Sequence, residues 1–259
     1  MSSILERLYY RVQALYVSLE VRIFSRKLGL LKNESYRIDL IRTLHAIKGR
    51  VPGSDVFIDV GTNEGAFSGI FAHIYQPSFI ICIEPNEQLN EAIKANTKGY
   101  SPVIINKAIS DKEAEMDFYF HPDSQMSSLF PSNKDSMERE FGTNSQAAVV
   151  KRTVPVTTMD LVFAQYKNEL SGKTIFLKID TQGNELEVIK GGVKAMAAIN
   201  YCLLEYMFQS PYEKQYPFEE IISVMAANGF SCLGPMHTAY RTTGEVGAVL
   251  FLFGRKERS

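Results

Sequence analysis

The chain has 259 residues, 45% of them apolar, which suits one large α/β domain with an extension better than two equal domains. Its formal net charge is −1 and it has no basic runs. Because nucleic-acid binding needs a concentrated basic patch, this balance argues against nucleic acid as the main partner. Residues 1–50 hold ten Lys or Arg against four Asp or Glu, which leaves 18 against 25 in the remainder.

Cysteine usage and the N-terminus indicate the compartment. The three cysteines each lie in an apolar, strand-like run, which predicts reduced, buried thiols: Cys82, Cys202 and Cys232. No Cys or His spacing indicates a zinc site. Charges within the first eleven residues interrupt any signal-peptide core, and no run approaches the ~20 apolar residues of a membrane span. We predict a cytoplasmic protein.

The N-terminal part is predicted to be a helical extension, residues 1–52. Apolar residues recur every three or four positions over residues 3–28, which indicates an amphipathic helix, and a second helix is predicted over 35–48. We expect the first helix to pack on the main domain or on a second subunit. The alternative is a peripheral helix that lies on a membrane surface.

Residues 56–68 contain an apolar strand, a glycine turn and a helix start. Asp59 is expensive to bury alone, so it either accepts hydrogen bonds from the turn or faces a ligand. Gly61 and Gly65 allow a sharp turn and close approach of a ligand. A dinucleotide fingerprint would require glycine where the chain has Asn63, so the turn favours a smaller zwitterionic ligand over a pyrophosphate. The pattern resembles the first motif of S-adenosylmethionine-dependent methyltransferases, and a plain strand-to-helix turn remains the alternative.

The second strand is predicted over 79–85 and ends in Glu84 and Pro85. Glu84 lies twenty-three residues after the first glycine of the turn, where a carboxylate would hold the two hydroxyls of a ribose. A helix over 88–97 and a third strand over 103–109 follow. In this fold class the end of the third strand lies beside the adenine.

Residues 113–157 interrupt the alternation of strands and helices. Two strands, over 116–120 and 149–156, are predicted to pair as a hairpin around a polar stretch from 121 to 144. A loop of this length is usually a functional lid or disordered. We take it as a candidate substrate loop, with His121, Ser127 and Ser128 as possible contacts, and a mobile surface loop is the alternative.

The second half predicts the rest of the sheet: a helix opening at Thr158, strands four and five over 174–180 and 199–205, helices over 184–192 and 217–228, and two closing strands over 230–233 and 248–253. Strand four ends in Asp180 and strand five in Glu205. The closing pattern fits a seven-stranded sheet whose last strand is antiparallel.

Between about residues 56 and 207 the chain resembles FkbM-type methyltransferases. The matching segments keep their order along the chain: 58–65 with Ser68, 83–85 with Asn96, 127–129, 158–160 and 177–185. The Lys-Ile-Asp-x-x-Gly-x-Glu segment at 178–185 is the most specific of them. The departures, Thr62 and Asn184 where alanine is common, remove no group that the chemistry needs.

This resemblance implies a Rossmann-like class I methyltransferase fold, with a seven-stranded sheet and helices on both faces, over residues 53–259 with an insertion at 113–157. It also implies S-adenosylmethionine as the methyl donor and a hydroxyl of a sugar, glycan or secondary metabolite as the acceptor. The expected donor-binding residues surround the first three strand ends: Asp59, Gly61, Asn63, Gly65, Ser68, Glu84, Pro85, Asn106 and Ala108.

The expected catalytic groups are Asp180, Glu205 and Lys178. The two carboxylates should meet at the carboxyl edge of the sheet, where they could act as a general base or hold a divalent cation, and we favour the base without a metal. Lys178 shares a face with Asp180, so it orients the acceptor or forms a structural ion pair. Glu185 is expected to serve its helix N-terminus. The alternatives to a methyltransferase are a nicotinamide-dependent oxidoreductase and a catalytically degenerate binding protein.

Overall fold

The computed structural model describes residues 34–133, 149–214, 216–241 and 244–256. The chain divides into two compact units, residues 1–50 and 51–259. In the first unit, helix α1 (Glu34–Lys48) confirms the helix predicted over 35–48. The amphipathic helix predicted over 3–28 lies outside the described residues and stays a prediction.

The second unit is built on a seven-stranded sheet with the strand order β3-β2-β1-β7-β8-β10-β9. Strands β1, β2, β3, β7 and β8 are parallel, and β10 runs antiparallel between β8 and β9, which confirms the predicted closing pattern. Its strands are β1 (Val56–Val60), β2 (Phe79–Ile83), β3 (Val103–Ile105), β7 (Ile175–Ile179), β8 (Tyr201–Met207), β9 (Phe230–Tyr240) and β10 (Val246–Arg255).

Helices cover both faces of this sheet. On one face, α2 (Ala66–Tyr75) stacks the ring of Phe71 on Phe57 of β1, with the ring centroids 3.9 Å apart. On the other face five helices contribute to one apolar core: α4 (Met159–Gln165), α5 (Lys167–Leu170), α6 (Glu185–Lys190), α7 (Val193–Met196) and α8 (Phe218–Ala227). Because β1 and β7 are covered on both sides, every one of their residues is buried, including their polar ones.

The insertion forms a small second sheet with the order β4-β6-β5. Strands β5 (Ala114–Phe120) and β6 (Val150–Thr157) pair antiparallel, which confirms the predicted hairpin, and β4 (Ala108–Ile109) adds a parallel edge. This sheet has an apolar core of its own around Phe118 and Leu129. A 3₁₀ turn (Ser124–Met126) follows β5, while residues 134–144 of the predicted loop lie outside the described part of the chain.

Four predicted strands differ from the structure. The strand predicted over 103–109 breaks into β3 and β4, which join different sheets, because the Asn106 side chain bonds the carbonyl oxygen of Glu84 and the side chain of Asn90. Strands β9 and β10 are longer than predicted, since register shifts accommodate Gly234 and Pro235 within the hairpin. Strand β8 continues to Met207, so Glu205 does not end it.

The helix predicted over 88–97 is a 3₁₀ turn (Glu87–Leu89) followed by α3 (Asn90–Asn96). Cys82 and Cys202 are buried free thiols as predicted, but Cys232 is exposed, so that prediction is wrong for one residue of three. Among the described helices, none combines the length and apolar character that crossing a bilayer requires.

Candidate active site

Asp59, the acid of β1, is buried behind the turn that joins β1 to α2. The side chain of Asp59 is 0% exposed and is held by the Ser68 hydroxyl, 2.5 Å from Oδ2, and by the Lys178 ammonium, 3.3 Å from Oδ1. Burial raises the pKa of Asp59, and the charge of Lys178 opposes that rise. The expectation that this carboxylate bonds the turn or faces a ligand is therefore wrong. Asp59 and the equally buried Ser68 support the turn from behind.

The glycines of this turn are required by neighbouring backbone. Gly61 has φ +81°, and a Cβ there would lie 1.8 Å from the carbonyl oxygen of Asp180 on the adjacent turn. Gly65 has φ +80°, and its Cβ would lie 3.0 Å from the Cα of Ile93 in α3. Both positions therefore exclude side chains before any ligand is considered.

Glu84 follows β2 and is held by two backbone amides. Asn63 N–H donates to Oε2 and Asn86 N–H to Oε1, both at 2.9 Å. Burial raises the pKa of Glu84 to about 7, although these hydrogen bonds act in the opposite direction. Each carboxylate oxygen keeps a lone pair for a further donor, so this acid fits the paired hydroxyls of the ribose of S-adenosylmethionine.

The remaining predicted donor-binding residues lie around this acid. Asn106 Nδ2 donates to the Glu84 carbonyl oxygen at 2.9 Å, which fixes the end of the strand. Pro85 is half-buried beside it, and Ala108 is buried in β4. The carbonyl group of the Asn63 side chain accepts a 2.7 Å hydrogen bond from Ser124 of the 3₁₀ turn. Contact of these residues with the donor stays a prediction.

The turn between β7 and α6 presents the second set of acids. Lys178 Nζ lies 3.0 Å from Asp180 Oδ2 and also contacts Asp59. This buried lysine therefore forms ion pairs with two carboxylates. The Nε2 atom of Gln182 lies 2.9 Å from Asp180 Oδ1 and 2.9 Å from Glu205 Oε2. The Asp180 side chain is 24% exposed. The two acids therefore meet at the carboxyl edge, as the sequence predicts.

The surroundings of Asp180 and Glu205 shift their pKa values in opposite directions. Burial and the neighbouring charge of Asp180 raise the pKa of Glu205 well above its usual value. Burial would also raise the pKa of Asp180, but the charge of Lys178 and several hydrogen bonds bring it below its usual value. These opposite shifts in pKa make Asp180 the more readily ionised acid of the pair and Glu205 the more readily protonated one.

Glu185, predicted to serve its helix N-terminus, instead holds the turn that precedes the helix. Its Oε1 accepts hydrogen bonds from the backbone amides of Thr181 and Gly183 and from the Thr181 hydroxyl, at 2.9 to 3.1 Å. This side chain therefore satisfies amides of the turn before α6, and no hydrogen bond joins it to Asp180 or Glu205 among the described contacts.

The candidate substrate residues differ in exposure. Ser128 is fully buried and donates to the carbonyl oxygen of Gln182, so the predicted substrate contact there is wrong. The Ser127 hydroxyl accepts from the His121 amide, and the ring nitrogen Nδ1 of His121 accepts from the Asp123 amide. Both side chains are half-buried, and their contact with an acceptor stays a prediction.

Sequence reasoning missed three contributors: Gln182, Tyr212 and Ser124. The Tyr212 hydroxyl lies 3.0 Å from Gln182 Oε1 and 3.0 Å from the Met126 carbonyl oxygen. The position of Gln182 between Asp180 and a glycine was a signal for its role, whereas nothing local to Tyr212 or Ser124 indicates their contacts.

Asp180 and Glu205 are also the predicted ligands of a divalent cation, if the enzyme uses one. Within the described ranges, no group of three or more His, Cys, Asp or Glu side chains is placed to hold a metal ion. The two acids are instead joined through the amide of Gln182.

The sheet order, the glycine turn after β1 and the acid after β2 define a Rossmann-like class I methyltransferase that uses S-adenosylmethionine. The family model of the methyltransferase FkbM domain matches residues 59–232, and the chain belongs to this family. That membership overturns the alternative of a nicotinamide-dependent oxidoreductase.

The chain is similar at low sequence identity to several known methyltransferases. The chain is 23% identical over 182 residues to the 2-O-methyltransferase NoeI of Sinorhizobium fredii, a match that covers 66% of this chain and 70% of that protein. Similar solved structures include a Burkholderia thailandensis N1-methyltransferase with bound S-adenosylhomocysteine (TM-score 0.45, 8% identity, 96% and 90% of the two chains). Magnesium protoporphyrin IX methyltransferase of Synechocystis, with bound S-adenosylmethionine, is another (TM-score 0.42, 13% identity, 93% and 84%).

Proposed function

We propose that this protein transfers a methyl group from S-adenosylmethionine to a hydroxyl oxygen of a sugar, glycan or secondary metabolite. The observation that carries the proposal is the meeting of Asp180 and Glu205 on one amide at the carboxyl edge of the sheet. An alcohol reacts usefully only as its proton leaves, so an O-methyltransferase needs a base at this position.

In this proposal the donor supplies an electrophilic methyl group, and the protein aligns and deprotonates the acceptor. Asp180, ionised beside Lys178, accepts the hydroxyl proton while the new oxygen–carbon bond forms and the carbon–sulfur bond breaks. Glu205, whose pKa is raised, is the more readily protonated acid of the pair, and with Gln182 it stabilises the charge on Asp180. Lys178 keeps Asp180 charged from the buried side and is not itself exposed to the acceptor.

The donor-binding roles divide into contact and support. We assign the ribose to Glu84, the methionine part to the turn at Gly61 and Asn63, and the adenine to the surface near Asn106 and Ala108. The other donor-site residues act indirectly. Three support the turn from behind: Asp59, Gly65 and Ser68. Pro85 fixes the end of β2.

Charge favours a neutral acceptor. The exposed edge of the site carries the carboxylate of Asp180, and its lysine partner is buried between two acids. An anionic acceptor would be repelled there, whereas a neutral hydroxyl can donate its hydrogen. The description of the distant relative as a 2-O-methyltransferase supports an oxygen acceptor. His121 and Ser127 are the proposed contacts on the acceptor side.

We also propose the limits of the catalytic unit and its setting. The methyltransferase domain spans 53–259, with the insertion at 113–157, and residues 1–52 form an extension that contacts a second subunit or a membrane surface. A cytoplasmic location and the lack of a nucleic-acid partner belong to the same proposal.

The test is methyl transfer by the full chain. The protein is incubated with methyl-labelled S-adenosylmethionine and parallel sets of sugar, glycan, thiol and amine acceptors, and the labelled product is identified by mass spectrometry. We expect label on oxygen, and calorimetry with S-adenosylhomocysteine should show binding to both the parent and Asp180→Asn. Label on nitrogen or sulfur would overturn the oxygen acceptor, and no heat at high protein concentration would favour a degenerate binding protein.

A further inference from the structure

The turn after β7 contains an unusual backbone position at Gln182. This residue has φ +59°, in the left-handed region, and Gly183 follows at φ +101°. A residue with a Cβ is less stable in that region than in a right-handed conformation, because its Cβ lies too close to the following carbonyl oxygen. The turn retains this strain at a residue whose side chain reaches both acids of the proposed site.

The side-chain amide of Gln182 has one hydrogen for each of the two carboxyl groups. Nε2 carries two hydrogens and lies 2.9 Å from one oxygen of Asp180 and 2.9 Å from one oxygen of Glu205. Without this shared donor, the two acids would retain only their mutual contact and the ammonium of Lys178, which is bonded to Asp180 on its other oxygen. The amide therefore holds the pair together on the side that faces away from Lys178.

Tyr212 sets the orientation of this amide. Its side chain is 4% exposed, and its hydroxyl lies 3.0 Å from Gln182 Oε1. A hydroxyl that donates to Oε1 requires the NH₂ group to face the carboxylates, because the amide has only these two ends. The backbone carbonyl oxygen of Gln182 is held separately, by a hydrogen bond from the hydroxyl of Ser128.

Tyr212 also connects the amide to the loop that follows β5. Its hydroxyl has one hydrogen and two acceptors at equal distance, Gln182 Oε1 and the Met126 carbonyl oxygen. The chain around it is joined to the same loop by two backbone hydrogen bonds, from Asn133 to Pro211 and from Glu213 to Pro131. The position of the loop is thereby linked to the position of the amide.

We propose that Gln182 is a positioning residue, which holds Asp180 and Glu205 in their reactive arrangement through its side-chain amide, and that Tyr212 acts through it by fixing the amide. This inference rests on the proposed function, because it assigns the pair to proton removal. It adds a role to Gln182 and Tyr212 that their packing alone does not require.

The test compares Gln182→Met, which keeps the length of the side chain without its hydrogen bonds, with the parent enzyme. We expect kcat to fall by about 10- to 100-fold, the range for hydrogen bonds to charged groups. The acceptor KM and the affinity for S-adenosylhomocysteine should stay within about twofold of the parent, because the amide acts on the proton-accepting pair and not on binding. Ser128→Ala is the matched control, since it removes a hydrogen bond to the same residue but leaves the amide in place.

Tyr212→Phe should lower kcat less than Gln182→Met does. The double variant should have the same kcat as Gln182→Met alone, because the tyrosine acts through the amide. Multiplying effects in the double variant would overturn the role of Tyr212. An unchanged kcat in Gln182→Met, or a loss explained by weaker binding or lower thermal stability, would overturn the role of Gln182.

Failure of the proposed function has a different signature. If the parent transfers methyl to oxygen and Asp180→Asn does not, the proposed function stands. The results with the Gln182 variants then test only the positioning role of Gln182. If no acceptor is found, a crystal structure of Gln182→Met decides: we expect the carboxyl groups of Asp180 and Glu205 to move apart, and unchanged positions would overturn the inference.

Discussion

The turns that follow the paired strands β1 and β7 have similar sequences. In each, an acid is followed in order by glycine, asparagine and glutamate: Asp59, Gly61, Asn63 and Glu64 at the first, and Asp180, Gly183, Asn184 and Glu185 at the second. Asp59 is in register with Lys178, so Asp180 lies two positions further along on the same face. Two strand residues span about 7 Å, which is enough to move a carboxylate from the interior to the edge of the sheet. The first acid therefore supports the site and the second is presented to the acceptor.

The two turns also differ in how a glutamate stabilises them. The first is held from outside, since the Asn63 amide donates to Glu84 on the neighbouring strand. The second is held by Glu185 of its own helix. Glu84 is thus shared between the fold and the proposed donor site, whereas Glu185 belongs to the fold. A similar local sequence gives different chemistry because the two turns have different neighbours.

The largest expected effect is on the presented acid. Asp180→Asn should lower kcat by about 10²–10⁴-fold, the usual contribution of a general base. S-adenosylhomocysteine affinity, measured by calorimetry, should remain near that of the parent, because this side chain is assigned to the acceptor. Equal loss of donor affinity in Asp180→Asn, Asp59→Ala and Glu84→Ala would refute the division between the two turns.

The supporting acid should act mainly on stability. Asp59→Ala leaves Lys178 buried with one partner fewer, so the free energy of unfolding should fall by about 3–5 kcal/mol, measured by denaturant titration. Weaker donor binding should accompany this loss. The control is Asp117→Ala, which breaks an exposed ion pair with Lys151 and should change stability far less than Asp59→Ala does. Comparable losses in the two variants would contradict the supporting role.

The contact between the two turns can be tested at Gly61. Gly61→Ala places a methyl group against the Asp180 carbonyl oxygen at a left-handed φ, and should destabilise the protein by about 2–4 kcal/mol in a thermal or denaturant titration. Gly99→Ala is the matched control, because Gly99 has φ +96° with open space around its Cβ position. If both variants lose the same stability, backbone strain alone is responsible and the close contact is not.

The smallest effect is the pH dependence at Glu84. A pKa near 7 makes the ionised fraction rise about tenfold between pH 6 and 8, so S-adenosylhomocysteine affinity should rise by up to about tenfold across this range. The stability contribution has the opposite sign, because a raised pKa favours the folded state below about 4.5 and this benefit is lost as pH rises through 7. Calorimetry across this range should show a flat affinity profile for Glu84→Gln, and a parallel slope in both proteins would assign the titration elsewhere.

Much of this architecture was predictable because its signals are local. The apolar runs of β1, β2 and β7 predict buried parallel strands, and the acids that follow them predict a site at one edge. The site was less predictable where contacts are distant in sequence. Ser128 lies in a polar stretch yet is buried against Gln182, and Tyr212 reaches the same residue from thirty positions away.

The sequence by itself determined the order of strands and helices, the family, and the acids that border the site, since periodicity and glycine turns act over a few residues. Only the tertiary structure decided which acid is covered and which is exposed. That choice depends on strand register, which aligns Asp59 with Lys178 and leaves Asp180 at the edge, and register is set by packing between segments more than a hundred residues apart.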